Sequence, residues 1–195
     1  MGALWVALVG LALTVLASLG ARHGAVSGAE KAVFRWINGL PDWLERVMWA
    51  LQLLGVLVTP IVVAVVALAL RRWRLALALV LLAPLKLVAE RQVLKALVER
   101  QRPGQNEPGA ILRGVPPAGL SYPSGHAIVA VGMVTLLWPY LGRRGRVVAV
   151  LLAVAVGVAR VYLGAHNPLD VVAGAGLGLL LGGLLTLLVG VPERR

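Results

Sequence analysis

Six apolar runs dominate the chain, each bounded by charged or turn-forming residues. Residues 1–21 carry no charged side chain, and Leu4–Leu19 is almost wholly apolar. Val47–Leu70 is 24 residues without a charge. Leu75–Ala89 is apolar apart from Lys86 and is interrupted by Pro84, and Ala127–Leu141, Val147–Val158 and Val171–Val191 complete the set. A helix crossing the hydrocarbon of a bilayer needs roughly 20 residues. The third, fourth and fifth runs reach that length when Glu90, Arg91, His126 and Arg160 sit at the interface. The pattern predicts an all-α polytopic membrane protein, a six-transmembrane-helix bundle forming one domain over 1–195. Its spans fall near 3–21, 47–70, 75–94, 126–141, 147–163 and 169–191. The first run lacks a basic leading region, so a retained helix is expected rather than a cleaved signal.

A shorter pattern lies between the first two spans. Ala29, Ala32, Val33, Trp36, Ile37 and Leu40 follow helical spacing, with Glu30, Lys31, Arg35 and Asn38 on the other side. Ser27 and Glu30 have capping-box spacing. This predicts a short interfacial amphipathic helix on the outer membrane surface.

Composition agrees with a membrane protein. The hydrophobic share is 59%, only 14% of residues are charged, and mean hydropathy is +0.88. A soluble domain is about 45–50% apolar and about 25% charged. No cysteine is present, which excludes disulfides and thiolate metal sites. The net charge of +11 would point to nucleic acid in a soluble protein; in a membrane chain it points to topology, lipid or an anionic substrate. Of 19 basic residues, eight fall in Arg71–Arg74, Gly142–Arg146 and the tail Glu193–Arg195. The two dense, acid-free Arg loops are placed in the cytoplasm. Residues 22–46, 90–125 and 160–169 then share the extracytoplasmic face. Lys86, four before Glu90, is expected to pair with it.

Three segments on that face carry polar groups that membrane residence leaves unexplained. In the first, Lys95 and Arg102 are seven apart and predicted to share one helix face with Arg91, until Pro103 ends the helix. In the second, Ser124 suits an N-cap, Gly125 admits close approach to the backbone, and His126 sits in the first turn, where free N–H groups can hold an anion. In the third, Asn167-Pro168 opens the last span, and Asp170 in its first turn can reach back to His166. Arg160 precedes them. Gathered on one face, these cations, two histidines, one carboxylate and a helix N-terminus suit a tetrahedral dianion. A metal is disfavoured, because Lys95, Arg102 and Arg160 would repel it and no acidic pair is available for Mg²⁺.

Lys95-x6-Arg102-Pro103, Pro123-Ser124-Gly125-His126 and Arg160-x5-His166-x3-Asp170 resemble the three-part signature of the type 2 phosphatidic acid phosphatase family. The resemblance covers roughly 86–182. Ala159 departs from it, standing where the family usually has Ser. The resemblance implies an integral membrane lipid phosphatase. In it His166 is the nucleophile, Asp170 orients it, His126 is the general acid, and Lys95, Arg102, Ser124, Gly125 and Arg160 hold the phosphate. It implies no cofactor and no metal. The partners expected are a lipid phosphate substrate and the bilayer, not nucleic acid. Undecaprenyl diphosphate, phosphatidic acid and phosphatidylglycerophosphate are equally compatible. The alternative is a non-catalytic transporter or binding protein using the same cationic pocket. Gly174, Gly178 and Gly182 recur every four residues, a small-residue face for packing within the bundle or between protomers.

Overall fold

The computed structural model describes residues 2–190, so the Arg residues of the C-terminal tail lie outside the described residues. Among the described residues ten α-helices follow one another: α1 (Ala3–Gly20), α2 (Gly28–Asn38), α3 (Glu45–Gln52), α4 (Val58–Ala69), α5 (Trp73–Leu87), α6 (Lys95–Val98), α7 (Pro103–Asn106), α8 (Gly125–Leu137), α9 (Arg143–Tyr162) and α10 (Pro168–Val189). Among the described residues no strand occurs, only an isolated bridge between Gln101 and Leu120. The described residues are therefore all-helical.

By length and apolar composition, α1, α9 and α10 can each cross a membrane. A fourth crossing arises if the two halves of a bent pair, Asp42–Gly55 and Val58–Ala69, form one span. That pair corrects the expectation of one straight helix over 47–70, because its halves meet at 60°. The break has local causes. Gln52 is buried against Arg160, the Thr59 hydroxyl donates to the Leu53 carbonyl at 2.8 Å, and Pro60 in the first turn of α4 supplies no N–H where none is needed. Gly55 at the break lets the chain touch His126, where a Cβ would sit 2.7 Å from the His126 carbonyl oxygen.

The centre of the bundle is α10, whose glycines work on two sides. A Cβ on Gly174 would meet the Ser124 carbonyl oxygen at 2.5 Å, and one on Gly178 would meet the Ile128 carbonyl oxygen at 2.7 Å. The Gly174/Gly178/Gly182 face is thus taken up by α8, within the bundle. On the other side Gly176 and Gly183 admit α1, with Thr14 and Ala3 backbone or side-chain atoms under 3 Å from where a Cβ would lie. Close backbone approach of this kind replaces the hydrophobic drive that lipid-immersed helices lack. Leu79, Leu82, Ile128, Val129 and Leu136 fill the space between α5, α8 and α10.

The amphipathic helix forms as expected, with the Ser27 hydroxyl accepting from the Glu30 N–H at 3.1 Å. Two residues of its polar side are nevertheless buried in the protein. Glu30, Phe34 and Asn38 are buried, while Val33 and Trp36 face outward. The polar members are buried because each finds fixed partners. Asn38 Nδ2 donates to the Ile111 and Tyr162 carbonyls at 2.8 and 2.9 Å, and its Oδ1 accepts from the Ile111 N–H at 2.8 Å. Glu30 meets Arg100. Fully paired polar groups of this kind tolerate burial that unpaired ones do not.

Replacing Gly178 with Val should lower the thermal midpoint in detergent markedly, at the upper end of the about 1–3 kcal/mol typical of overpacking. Gly28→Ala, where a Cβ meets nothing within 4 Å, should leave it near the parent value.

Candidate active site

The site is built where α8 and α10 begin. Ser124 occupies the N-cap position of α8 and Asn167 that of α10. The Ser124 N–H donates to the Asp170 carbonyl oxygen at 2.9 Å, locking the two starts together. The Ser124 hydroxyl, buried, makes no cap bond and has no hydrogen-bond partner among the described residues. It thus stands at the N-cap position without making the cap bond expected of it.

His166 lies in the turn between α9 and α10 and is 4% exposed. Its Nδ1 faces Asp170 Oδ2 at 3.6 Å, longer than a hydrogen bond, and has no hydrogen-bond partner in the described structure. Asp170 Oδ2 meanwhile accepts from the Asn167 N–H at 2.8 Å. Asp170 thus caps its own helix and faces the imidazole with the same oxygen. Burial pushes the His166 imidazole down to about 4; Asp170 opposes the shift, and Arg160 and Arg102 add to it. The ring is neutral at neutral pH, the form required of a nucleophile.

His126, in the first turn of α8, lies within electrostatic reach of His166, Arg160, Arg102 and Lys86. Arg160 is buried near the end of α9, and its Nη1 donates to Gln52 Oε1. Arg102 is half-buried and donates to the Ala165 carbonyl at 3.3 Å. His126, His166, Asp170, Ser124, Arg160 and Arg102 therefore gather at one end of the bundle.

Lys95 reaches the same place by another route. Its Nζ is 2.9 Å from Glu90 Oε1, and Glu90 also pairs with Lys86. The Lys86–Glu90 pair, expected from spacing, packs flat on Gly125, where a Cβ would lie 2.7 Å from Lys86 Nζ. Gly125 thus admits a neighbouring ion pair as well as leaving its own backbone open. The predicted continuous helix carrying Lys95 and Arg102 does not form. The helix ends at Val98, Glu99 turns left-handed at φ 48°, and Arg102 follows on extended backbone. The turn is held by bonds from the Ser121 N–H to the Arg100 carbonyl (2.8 Å) and from the Arg102 N–H to the Gly119 carbonyl (3.0 Å). A π-helical stretch over Val88–Leu94 also shifts the register, leaving Arg91 exposed and away from the cluster.

Two residues that the sequence did not single out complete the centre. Arg100 is fully buried and donates through Nη1 to Asp170 Oδ1 at 3.0 Å. Glu30 holds Arg100 from the other side, at 3.0 Å (Nη1) and 2.5 Å (Nη2). Arg100, between Glu99 and Gln101, carries no local sign of burial, and the spacing of Glu30 marks it only as a capping residue of a surface helix. Among the described residues no group of three or more His, Cys, Asp or Glu side chains is placed to hold a metal ion.

Beside this polar end lies a cavity of about 930 Å³ between α8, α9 and α10. Ala127, Val131, Val154, Gly157, Val171 and Ala175 are among its walls, and Ala127 and Pro168 are its wall residues nearest in sequence to His126 and His166.

Comparison with known proteins agrees with this architecture. A 68-residue stretch is 47% identical to an undecaprenyl-diphosphatase of Sulfolobus acidocaldarius, covering 32% of this chain and 30% of that protein. A 101-residue stretch is 37% identical to phosphatidylglycerophosphatase B of Bacillus subtilis, covering 46% of each. The chain thus spans half or less of the length of these two relatives. The crystal structure of a transmembrane PAP2-type phosphatidylglycerolphosphate phosphatase from Bacillus subtilis superposes with a TM-score of 0.76 at 26% identity, covering 95% of this chain and 98% of that one. The family model described as PAP2 superfamily matches residues 50–193, which take in the starts of α8 and α10 and every cation of the cluster. The chain belongs to the PAP2 superfamily.

Proposed function

We propose that this protein is an integral membrane lipid phosphatase, hydrolysing a lipid phosphate or diphosphate through a phosphohistidine intermediate. The observation that carries the reading is the meeting of His126 and His166 beside Arg102 and Arg160, with His166 facing a buried carboxylate.

His166 Nδ1 points to Asp170, so Nε2 attacks phosphorus. The bond from phosphorus to the lipid oxygen breaks, and His126 gives its proton to that oxygen. Asp170 stabilises the positive charge on the phosphorylated ring. His126, now neutral, takes a proton from water, which attacks phosphorus; phosphate leaves and His166 is restored. Lys95, Arg102, Arg160, the free Ser124 hydroxyl and the N–H groups at Gly125 hold the equatorial oxygens, on which charge builds. The 3.6 Å separation of His166 and Asp170 closes on substrate binding, as catalytic hydrogen bonds do. No metal or cofactor takes part.

The apolar cavity beside the site gives a lipid tail a place to lie while its headgroup reaches the cations. The relatives named above are described as acting on an isoprenyl diphosphate and on phosphatidylglycerophosphate. Both classes present one or two phosphates on a long apolar chain. In the proposed topology, six spans form a single domain in the cell membrane. The bent α3–α4 pair is one span, and α5 with its π-helical extension and α8 are two more. The Arg-rich turns at 71–74 and 142–146 face the cytoplasm and the site faces outward.

Purified protein in detergent should release phosphate from isoprenyl diphosphates, phosphatidic acid or phosphatidylglycerophosphate in preference to soluble esters, and excess EDTA should leave the rate unchanged. His166→Ala should lower the rate by several orders of magnitude. Near-parent turnover by that variant, or rapid turnover of soluble esters alone, overturns the assignment. The ¹⁵N resonances of His166 should titrate with a midpoint near 4, and a midpoint near the free value of about 6.5 would contradict its burial in the folded site. Because the chain has no cysteine, single cysteines report sidedness cleanly. A thiol at position 109 should react with an impermeant reagent on intact cells, and one at 142 only after lysis.

A further inference from the structure

Glu30 stands outside residues 50–193, the stretch of the chain that the family model describes. It nevertheless joins the centre of the site. Its Oε1 accepts from Arg100 Nη1 at 3.0 Å and from the Leu169 N–H, in the first turn of α10, at 2.8 Å. Its Oε2 accepts from Arg100 Nη2 at 2.5 Å. Arg100 Nη2 also donates to the Ala25 carbonyl at 2.8 Å, so the segment leading into α2 grips the guanidinium as well. Glu30, Arg100 and Asp170 are all at most 6% exposed.

The charges in this row run minus, plus, minus, ending one residue contact from the imidazole. With Arg100 alone opposite Asp170, the buried pair would be neutral, and the carboxylate would offer little to a ring turning cationic. Glu30 takes up the Arg100 charge and restores a net negative charge to the row. It also fixes Arg100 so that the guanidinium uses only Asp170 Oδ1, leaving Oδ2 turned to Asn167 and His166. A buried ionic row is a poor source of stability, since well-packed apolar residues serve as well or better. Its placement behind the imidazole gives it a different use.

We propose that Glu30 is a positioning residue for the His166–Asp170 couple, acting through Arg100. Helix α2, between the first two apolar segments, thereby joins the active site without touching substrate. The inference rests on the phosphatase reading of His166 and Asp170.

The test uses the full chain in detergent, with the lipid substrate that wild type turns over best. The groups facing His166 are Asp170 from α10, Arg160 from α9, Arg102 from the loop and His126 from α8, and none of them is altered. Glu30→Gln should lower kcat about tenfold or more, leave KM within about twofold, and lower the His166 titration midpoint, since Arg100 then neutralises Asp170; one unit of midpoint corresponds to tenfold in equilibrium. The double variant Glu30→Gln/Arg100→Met removes both compensating charges, so kcat and the midpoint should both recover towards wild type. Glu30→Asp should retain most of the activity. A residue holding only the fold would make the double variant no better than the single one, and that outcome overturns the proposal. Unchanged kcat and midpoint in Glu30→Gln also overturn it, with the phosphatase reading intact if His166→Ala is inactive. If wild type releases no phosphate, that reading fails, and the midpoints of the three variants still decide whether Glu30 acts on His166. Should Glu30→Gln fail to fold, the double variant and Glu30→Asp decide: lowered kcat with raised KM in both counts against the proposal.

Discussion

The bond from the Ser124 N–H to the Asp170 carbonyl oxygen ties together the starts of two helices, and the rest of the site is arranged around it. Such a bond requires the backbones of α8 and α10 to come nearly into contact. Gly174, Gly178 and Gly182 remove the side chains that would hold them apart. Two helix N-termini then open in the same direction, each presenting N–H groups with no partner inside its own helix. Partial positive charge is concentrated there before any side chain is counted. His126 and His166 inherit their positions from these starts, one in the first turn of α8 and the other just before α10.

The side chains added to this frame make a site of unusual charge. Lys86, Lys95, Arg102 and Arg160 lie around His126 and His166, with Glu90 as a counter-charge at one side and Asp170 at the other. Asp170 is largely spoken for by Arg100 and Asn167, and Glu90 by two lysines. The net field is positive, and it acts where burial weakens screening. That is the preorganisation a phosphoryl group needs, with fixed donors in place before charge moves onto its oxygens. Because the carboxylates are already paired, they repel an entering dianion less than their number implies.

Much of this was legible in the sequence, for identifiable reasons. Long apolar runs between charged turns pointed to membrane helices, and their count led to the expectation that Lys95, Arg102, His126, Arg160, His166 and Asp170 share one face; the structure gathers these residues at one end of the bundle. The four-residue glycine period required close helix packing, although only the structure assigns that face to α8. What escaped the sequence depends on pairings distant along the chain. Glu30 and Arg100 are separated by an entire apolar hairpin, and nothing local distinguishes either from a solvated charge. Asn38 was read as surface for the same reason, because its partners at Ile111 and Tyr162 come from elsewhere. Periodicity also assumes an unbroken α-helix. The π-helical stretch at Val88–Leu94, the left-handed Glu99 and the 60° bend before α4 each break that assumption. Arg91 lost its place in the cluster, and Arg102 kept its place by a different path.

The cavity between α8, α9 and α10 has exposed walls at Val154 and Val172, so it opens sideways. A phosphatase built this way would separate its products by their opposite solubility. In the proposed reading the dephosphorylated lipid would leave into the bilayer along the helices, while inorganic phosphate would depart from the charged end into water. Hydrolysis at such a boundary is also a partition step, and some of its direction comes from the two phases receiving the fragments.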